Sequence, residues 1–98
     1  MRIFADVVGF EWDDGNKDKN LKKHGVTNEG CEQSFSDERR IVREDTKHSR
    51  HEARHWLIGK TPQNRLLFVS FTIRKSRIRV ISARNASRKE RTYYEEEN

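Results

Sequence analysis

"RHWLIGKTPQNRLLFVSFTIRKSRIRVISAR", residues 54–84, decides the fold. Three strand-like runs lie in it, separated by two short joints. RHWLIGK (54–60) sets Trp56 and Ile58 on one face. RLLFVSFTI (65–73) is apolar on both faces, as a central strand covered from both sides must be. RIRVISAR (77–84) alternates, with Ile78 and Val80 opposite Arg79 and Ile81. The joint from Thr61 to Asn64 holds the only proline, and Arg74 to Ser76 is a tight connection. Upstream, RRIVRED (39–45) reads as a fourth strand, short and polar, and TKHSRHEA (46–53) as a polar loop. The expectation is a small antiparallel four-stranded sheet in an α+β fold, with two N-terminal helices and one C-terminal helix.

The helices are read from their ends. Phe10–Trp12 suits a short strand or edge segment. Asp13 and Asp14 then offer N-cap carboxylates, and a helix is expected from about Asn16 to His24. Its Lys17, Asn20, Leu21 and His24 share one face. Gly25 stops it, and a left-handed Gly25 would bring Leu21 and Val26 together. Thr27 caps a second, short helix over Asn28–Ser34, weakened by Gly30. In SRKERTYYEEEN, Ser87 and Glu90 form a capping box. Arg88 and Lys89 sit at that helix's positive end and Glu95 to Glu97 at its negative end, against the dipole. The tail after Tyr94 is therefore expected to fray unless something docks on it.

The 98 residues amount to a single domain, residues 1–98, with a modest core, since only 32% are hydrophobic and 38% are charged. The net charge is +5, but residues 61–92 alone carry nine lysines and arginines against one acid, a net of +8. A field that concentrated exceeds what solubility needs and attracts phosphate-bearing ligands. Cys31 is the only cysteine, so an internal disulfide is excluded, which suits a reducing cytoplasm. The N-terminal run MRIFADVVGFEW is too short and too polar for a membrane span. A cytoplasmic protein with no membrane partner is expected.

Several arginines sit in or beside neighbouring strands: Arg54, Arg65, Arg74, Arg77, Arg79 and Arg84. A guanidinium is a planar fork of donors that fits phosphate oxygens. Adjacent strands can bring several forks to one face, and Arg77 and Arg79 share strand parity. Asp45 and Glu52 are the acids that could instead tie them up. The histidines at 48, 51 and 55 have metal-like intervals but no thiolate, so no metal and no cofactor are expected. An imidazole beside phosphates can instead move a proton. His24 alone reads first as a cation at a helix C-terminus, and Glu52 as either a general base or half of an ion pair. Cutting RNA without a metal needs a base for the 2′-hydroxyl, cations for the charged phosphorus centre, and an acid for the leaving 5′-oxygen. Trp12, Trp56, Phe71, Tyr93 and Tyr94 are the aromatics that could stack bases, with Trp56 and Phe71 assigned to the core.

These pieces together resemble the BrnT family of bacterial toxins. FEWDDGNKDKNLKKHGV matches its opening at Phe10, Trp12, Asp13, Lys17, Asn20, Lys23, His24, Gly25 and Val26, with Lys17 one place off the commonest spacing. EARHWLIG, RLLFVSFT and IRVISARNASRKER follow in the expected order. The resemblance implies a RelE-like domain and an endoribonuclease that inhibits translation. It also implies neutralisation by a BrnA-type antitoxin with a ribbon-helix-helix part, which would bring the complex to operator DNA. Carried onto this chain, His24, Glu52, Arg54, Arg79 and Arg84 become the catalytic candidates. The arginines at 54, 79 and 84 would hold the scissile phosphate, and His24 or Glu52 would move the proton. Arg65, Arg74, Lys23 and Arg77 are the expected RNA contacts. Asp37-Glu38 stands where the family often has Asp-Pro, and Gly30 where it has a better helix former. The rival reading is a non-catalytic module that binds nucleic acid or ribosomes within a complex. The nuclease reading requires the guanidinium groups to converge on one surface around an open cleft.

Overall fold

The computed structural model describes residues 4–98, and the first three residues of the N-terminal run lie outside it. In chain order the elements are β1 (Gly9–Phe10), α1 (Lys19–His24), α2 (Asn28–Ser34), β2 (Ile41–Glu44), a 3-10 turn (Thr46–His48), β3 (Arg54–Lys60), β4 (Leu66–Arg74), β5 (Arg77–Asn85) and α3 (Arg88–Glu97). The strands form one sheet in the order β1-β5-β4-β3-β2. The antiparallel meander is as expected, but the sheet has five strands and is mixed, because β1 lies parallel to β5. The short edge segment expected at Phe10–Trp12 is this strand, set at Gly9–Phe10; its parallel pairing was not legible, because its partner is far away in sequence.

β4 is central, and its Leu66 and Leu67 are 1% and 0% exposed on opposite faces. One face of the sheet packs Leu57, Leu67, Val69, Phe71, Ile78, Val80 and Ala83 against Val26, Cys31 and Phe35 from the α1–α2 side. The other face packs Ile58 and Leu66 with Ile41 and Tyr94 under α3. Each aliphatic side chain of this size contributes about 1.5–3 kcal/mol when buried. Gly59 is required where it stands, since a Cβ there would collide with the carbonyl of Ser34 at the end of α2.

The first helix is shorter than expected, starting at Lys19 rather than Asn16. Asp13 and Asn16 instead close a turn: Asn16 Oδ1 accepts from the Asp13 N–H at 2.9 Å, and the Asp13 carbonyl accepts from Asn16 and Lys17. Asp18 becomes the N-cap, at φ 58 and without a side-chain cap. Gly25 ends the helix at φ 67, as foreseen. The closure differs in detail, because the Val26 N–H bonds Asn20 rather than Leu21, and Leu21 is 46% exposed. α2 has the expected bounds and the Thr27 cap.

The capping box of α3 is complete, yet the helix does not stop at Tyr94. It runs through Glu97 because its end docks on the chain itself. Tyr94 donates to Asp37 at 2.6 Å, and Asn98 to the Arg39 carbonyl at 3.2 Å. Burial first, then the bond to Asp37, pushes the Tyr94 hydroxyl up to about 12. Burial raises Asp37 in turn, but hydrogen bonds from Tyr94 and from the Arg39 and Lys60 N–H groups outweigh it and lower its pKa.

Candidate active site

The α3 face of the sheet carries the arginines, and a single irregularity arranges it. Ser70 pairs with Ser82 but Phe71 pairs with Val80, so Ile81 bulges from β5 without a partner. One extra residue resets the alternation of a strand. Arg79 and Arg84, five apart and otherwise on opposite faces, therefore point the same way. Their partners on β4 are Thr72 and Phe68. Arg54 also pairs with Thr72, and Arg74 with Arg77. These five arginines thus share one face, and Arg43, which pairs with Trp56 from β2, shares it as a sixth. α3 covers its Phe68 end and leaves the Thr72 end open.

The outer edge of β5 is finished by side chains where β1 runs out. Asn16 Nδ2 donates to the Val80 carbonyl at 3.1 Å, and Asn20 Oδ1 accepts from the Ala83 N–H at 3.0 Å. This pins α1 along the edge and holds β5 in register for its arginines.

Most of these arginines have acidic partners. Arg79, whose side chain is 16% exposed, bonds Glu11 at 2.9 Å and Asp13 at 2.7 and 3.0 Å. Arg74 holds Glu52 through two bonds of 2.9 and 2.7 Å, and Arg84 holds Glu90 through two of 2.9 and 3.0 Å. The hydrogen bond from Arg74 lowers the Glu52 pKa and that from Arg79 lowers the Asp13 pKa. Burial raises Glu90, but Arg84 and the Ser87 N–H outweigh it and lower its pKa. The side chains of Arg54 and Arg77 make no hydrogen bond among the described residues, so their forks are open to a ligand.

Arg54 opens onto a cavity of about 580 Å³ lined by Lys47, His48, Arg50, His51, Glu52 and Arg54. Within it His48 Nδ1 lies 2.8 Å from Asp45 Oδ2, which orients the imidazole. This wall comes from the segment that reads in sequence as a polar loop, in which His48, His51 and Glu52 stand out but a cavity does not. A further signal in sequence was the run of charged, histidine and hydroxyl residues from Thr46 to Glu52, with nothing apolar to bury. His55 does not join it. Its ring stacks on Phe71 in the opposite face, and burial lowers its pKa. Among the described residues no three His, Cys, Asp or Glu side chains group as metal ligands would.

The structure therefore brings Glu52, Arg54, Arg74, Arg77 and Arg79 together at the open end of the face. Arg84 stands on the same face four residues of β4 away, about 13 Å at strand spacing. His24 and Lys23 lie elsewhere, on the last turn of α1 at the outer edge of β5. Arg65 is at that end too, where it donates to the His24 and Gly25 carbonyls at 3.1 and 2.8 Å and to Asn85 at 2.7 Å. It closes the C-terminus of α1 with a cation, which the helix dipole favours.

An ionised carboxylate between guanidinium groups, beside a cationic cavity, is suited to binding a phosphodiester and accepting a proton near it. No described helix is long and apolar enough to cross a membrane. A comparison with individual curated proteins found no match. The family described as "Ribonuclease toxin, BrnT, of type II toxin-antitoxin system" matches residues 12–90, a span that includes every residue of the arginine face named above. The chain belongs to this family of ribonuclease toxins.

Proposed function

We propose that the chain cuts single-stranded RNA without a metal ion, inhibits translation by doing so, and is silenced by a BrnA-type antitoxin. The observation that carries the reading is the open fork of Arg54 beside the Glu52–Arg74 pair, at the mouth of a cationic cavity. Glu52 takes the proton of the 2′-hydroxyl as that oxygen attacks phosphorus. Arg54, with Arg79 behind it, holds the non-bridging oxygens as they gain charge. The P–O5′ bond then breaks, and the 5′-oxygen takes a proton from the loop that carries His48 and His51. The products are a 2′,3′-cyclic phosphate and a 5′-hydroxyl. Arg84 holds the strand further along the same face. His24, with Lys23 and Arg65, meets it where it leaves over the β5 edge. The antitoxin covers the arginine face, and its ribbon-helix-helix part brings the pair to operator DNA.

The test is cleavage of single-stranded RNA by the purified chain in excess EDTA, with the new ends identified chemically. Cyclic phosphate and 5′-hydroxyl ends are expected. Arg54→Ala should slow cleavage by about 10²–10³-fold, the cost of losing one donor to a developing charge, with little change in melting temperature because its guanidinium makes no hydrogen bond among the described residues. RNA that binds, loses affinity in salt and yields no new ends would establish the non-catalytic reading instead.

A further inference from the structure

Beside the arginine rows lies a groove of about 320 Å³ that is lined almost wholly by apolar atoms, from Trp56, Ile58, Phe68, Lys89, Glu90 and Tyr93. Its floor is aromatic. Trp56 and Phe68 stand on adjacent strands with ring centroids 5.6 Å apart and planes within 24°, and Tyr93 meets Trp56 edge-on at 6.3 Å. Trp56 is only partly buried, so it is not the enclosed core residue the sequence suggests. Guanidinium groups flank this floor. Arg84 lies over the Phe68 ring at 4.5 Å, and Arg43 over the Tyr93 ring at 6.0 Å.

The geometry points to this groove as the seat of one unpaired base of the RNA, next to the phosphate held at Arg54. The inference rests on the nuclease reading and deepens it by naming where a nucleotide docks. Position on the sheet carries it. Trp56 follows Arg54 by two residues on β3, so both face the same way about 6.6 Å apart along the strand. A base and its phosphate need that pairing of an aromatic floor with a nearby cation. A duplex cannot use the groove, because its bases stay stacked inside. The lining offers almost no donors or acceptors, so the site takes any base by its π-face and reads sequence weakly. An apolar segment of a partner protein would fill the groove equally well by shape. Arg84 and Arg43 are held by Glu90 and Glu97, but such a segment gives no reason for the open cation of Arg54 two residues along β3 from Trp56.

The probe is a single-stranded RNA oligonucleotide whose 2′-hydroxyls are O-methylated, so that it binds and is not cut. In the parent protein, deleting the base at one position, leaving the backbone intact, should weaken binding about tenfold to a hundredfold. Trp56→Leu, which keeps the apolar area but removes the ring, should lose the same factor on the intact oligonucleotide and little more on the abasic one. Duplex RNA of the same sequence should show no dependence on Trp56. Affinity unchanged by base deletion at every position in turn overturns the site, and needs no variant to fold. So does a Trp56→Leu protein that fails to bind a partner protein while its RNA affinity is unchanged. If unmodified RNA stays uncut while base-dependent binding persists, the base site stands and the nuclease reading fails.

Discussion

Glu52 is held below the ordinary glutamate pKa of 4.5, chiefly by the hydrogen bond from Arg74. A base must be deprotonated to work, and a lowered pKa keeps it so into acid. Cleavage by the parent protein should therefore persist as pH falls through 4.5 and fail only below it. Arg74→Ala removes the largest lowering influence, so the acid limb of the pH–rate profile should move up toward 4.5. A limb that stays put in this variant would free Glu52 of the base role. At this scale the sequence was informative about residue types and uninformative about pairings. Arg54, Arg79 and Glu52 could be picked out by residue type as candidates for phosphate binding and proton transfer. That Glu52 takes Arg74, while Arg79 takes Glu11 and Asp13, was not legible, because partners 22, 68 and 66 residues apart leave no local pattern. His24 was legible as a helix end, and Gly25 confirms that part. Its position beyond the β5 edge follows from the path of the whole chain.

α1 behaves less as a helix packed by its apolar face than as a seal for the open edge of β5. Leu21, expected to meet Val26 at the helix end, is 46% exposed, and the buried contacts are those of Asn20. An edge strand left open presents unpaired N–H and C=O groups, and two asparagine amides occupy those of Val80 and Ala83. Asn20→Ala would strand the Ala83 N–H, a loss of roughly 1–3 kcal/mol. Part of that returns, because Asn20 Nδ2 is itself buried without a partner. A net destabilisation of about 1–2 kcal/mol is expected by denaturant titration, with the larger effect on cleavage if β5 loses its register. A variant as stable as the parent would mean that α1 does not hold the edge. The elements themselves were readable where local rules govern them, as in the Thr27 cap of α2, the Ser87–Glu90 box of α3 and the two-sided apolar run of β4. The bulge at Ile81 was not. RIRVISAR alternates well enough on its own to look regular, and only pairing with β4 shows the extra residue.

Across the whole molecule the net charge of +5 overstates the cations free to meet RNA. Arg74, Arg79 and Arg84 are already matched by carboxylates. An arginine that exchanges its carboxylate for a phosphate releases no net counterion, because the freed carboxylate takes one up. The residues that displace counterions are therefore Arg54 and Arg77 on the sheet, with Lys47 and Arg50 at the cavity. For a single strand each phosphate so neutralised adds about −0.7 to the slope of log affinity against log salt. Four such contacts give a slope of about −3. Arg54→Ala and Arg77→Ala should each make it shallower by about 0.7. Replacing Arg84 and Glu90 together by glutamine removes a neutral pair, so it should weaken binding while leaving the slope where it was. Equilibrium binding of the 2′-O-methylated oligonucleotide across a salt series measures all three. A slope near zero in the parent would show that the phosphates do not meet this face. A slope that falls equally for the glutamine pair would show that Arg84, not Arg54, faces the backbone unopposed. That outcome would move the scissile phosphate toward α3 and away from Glu52.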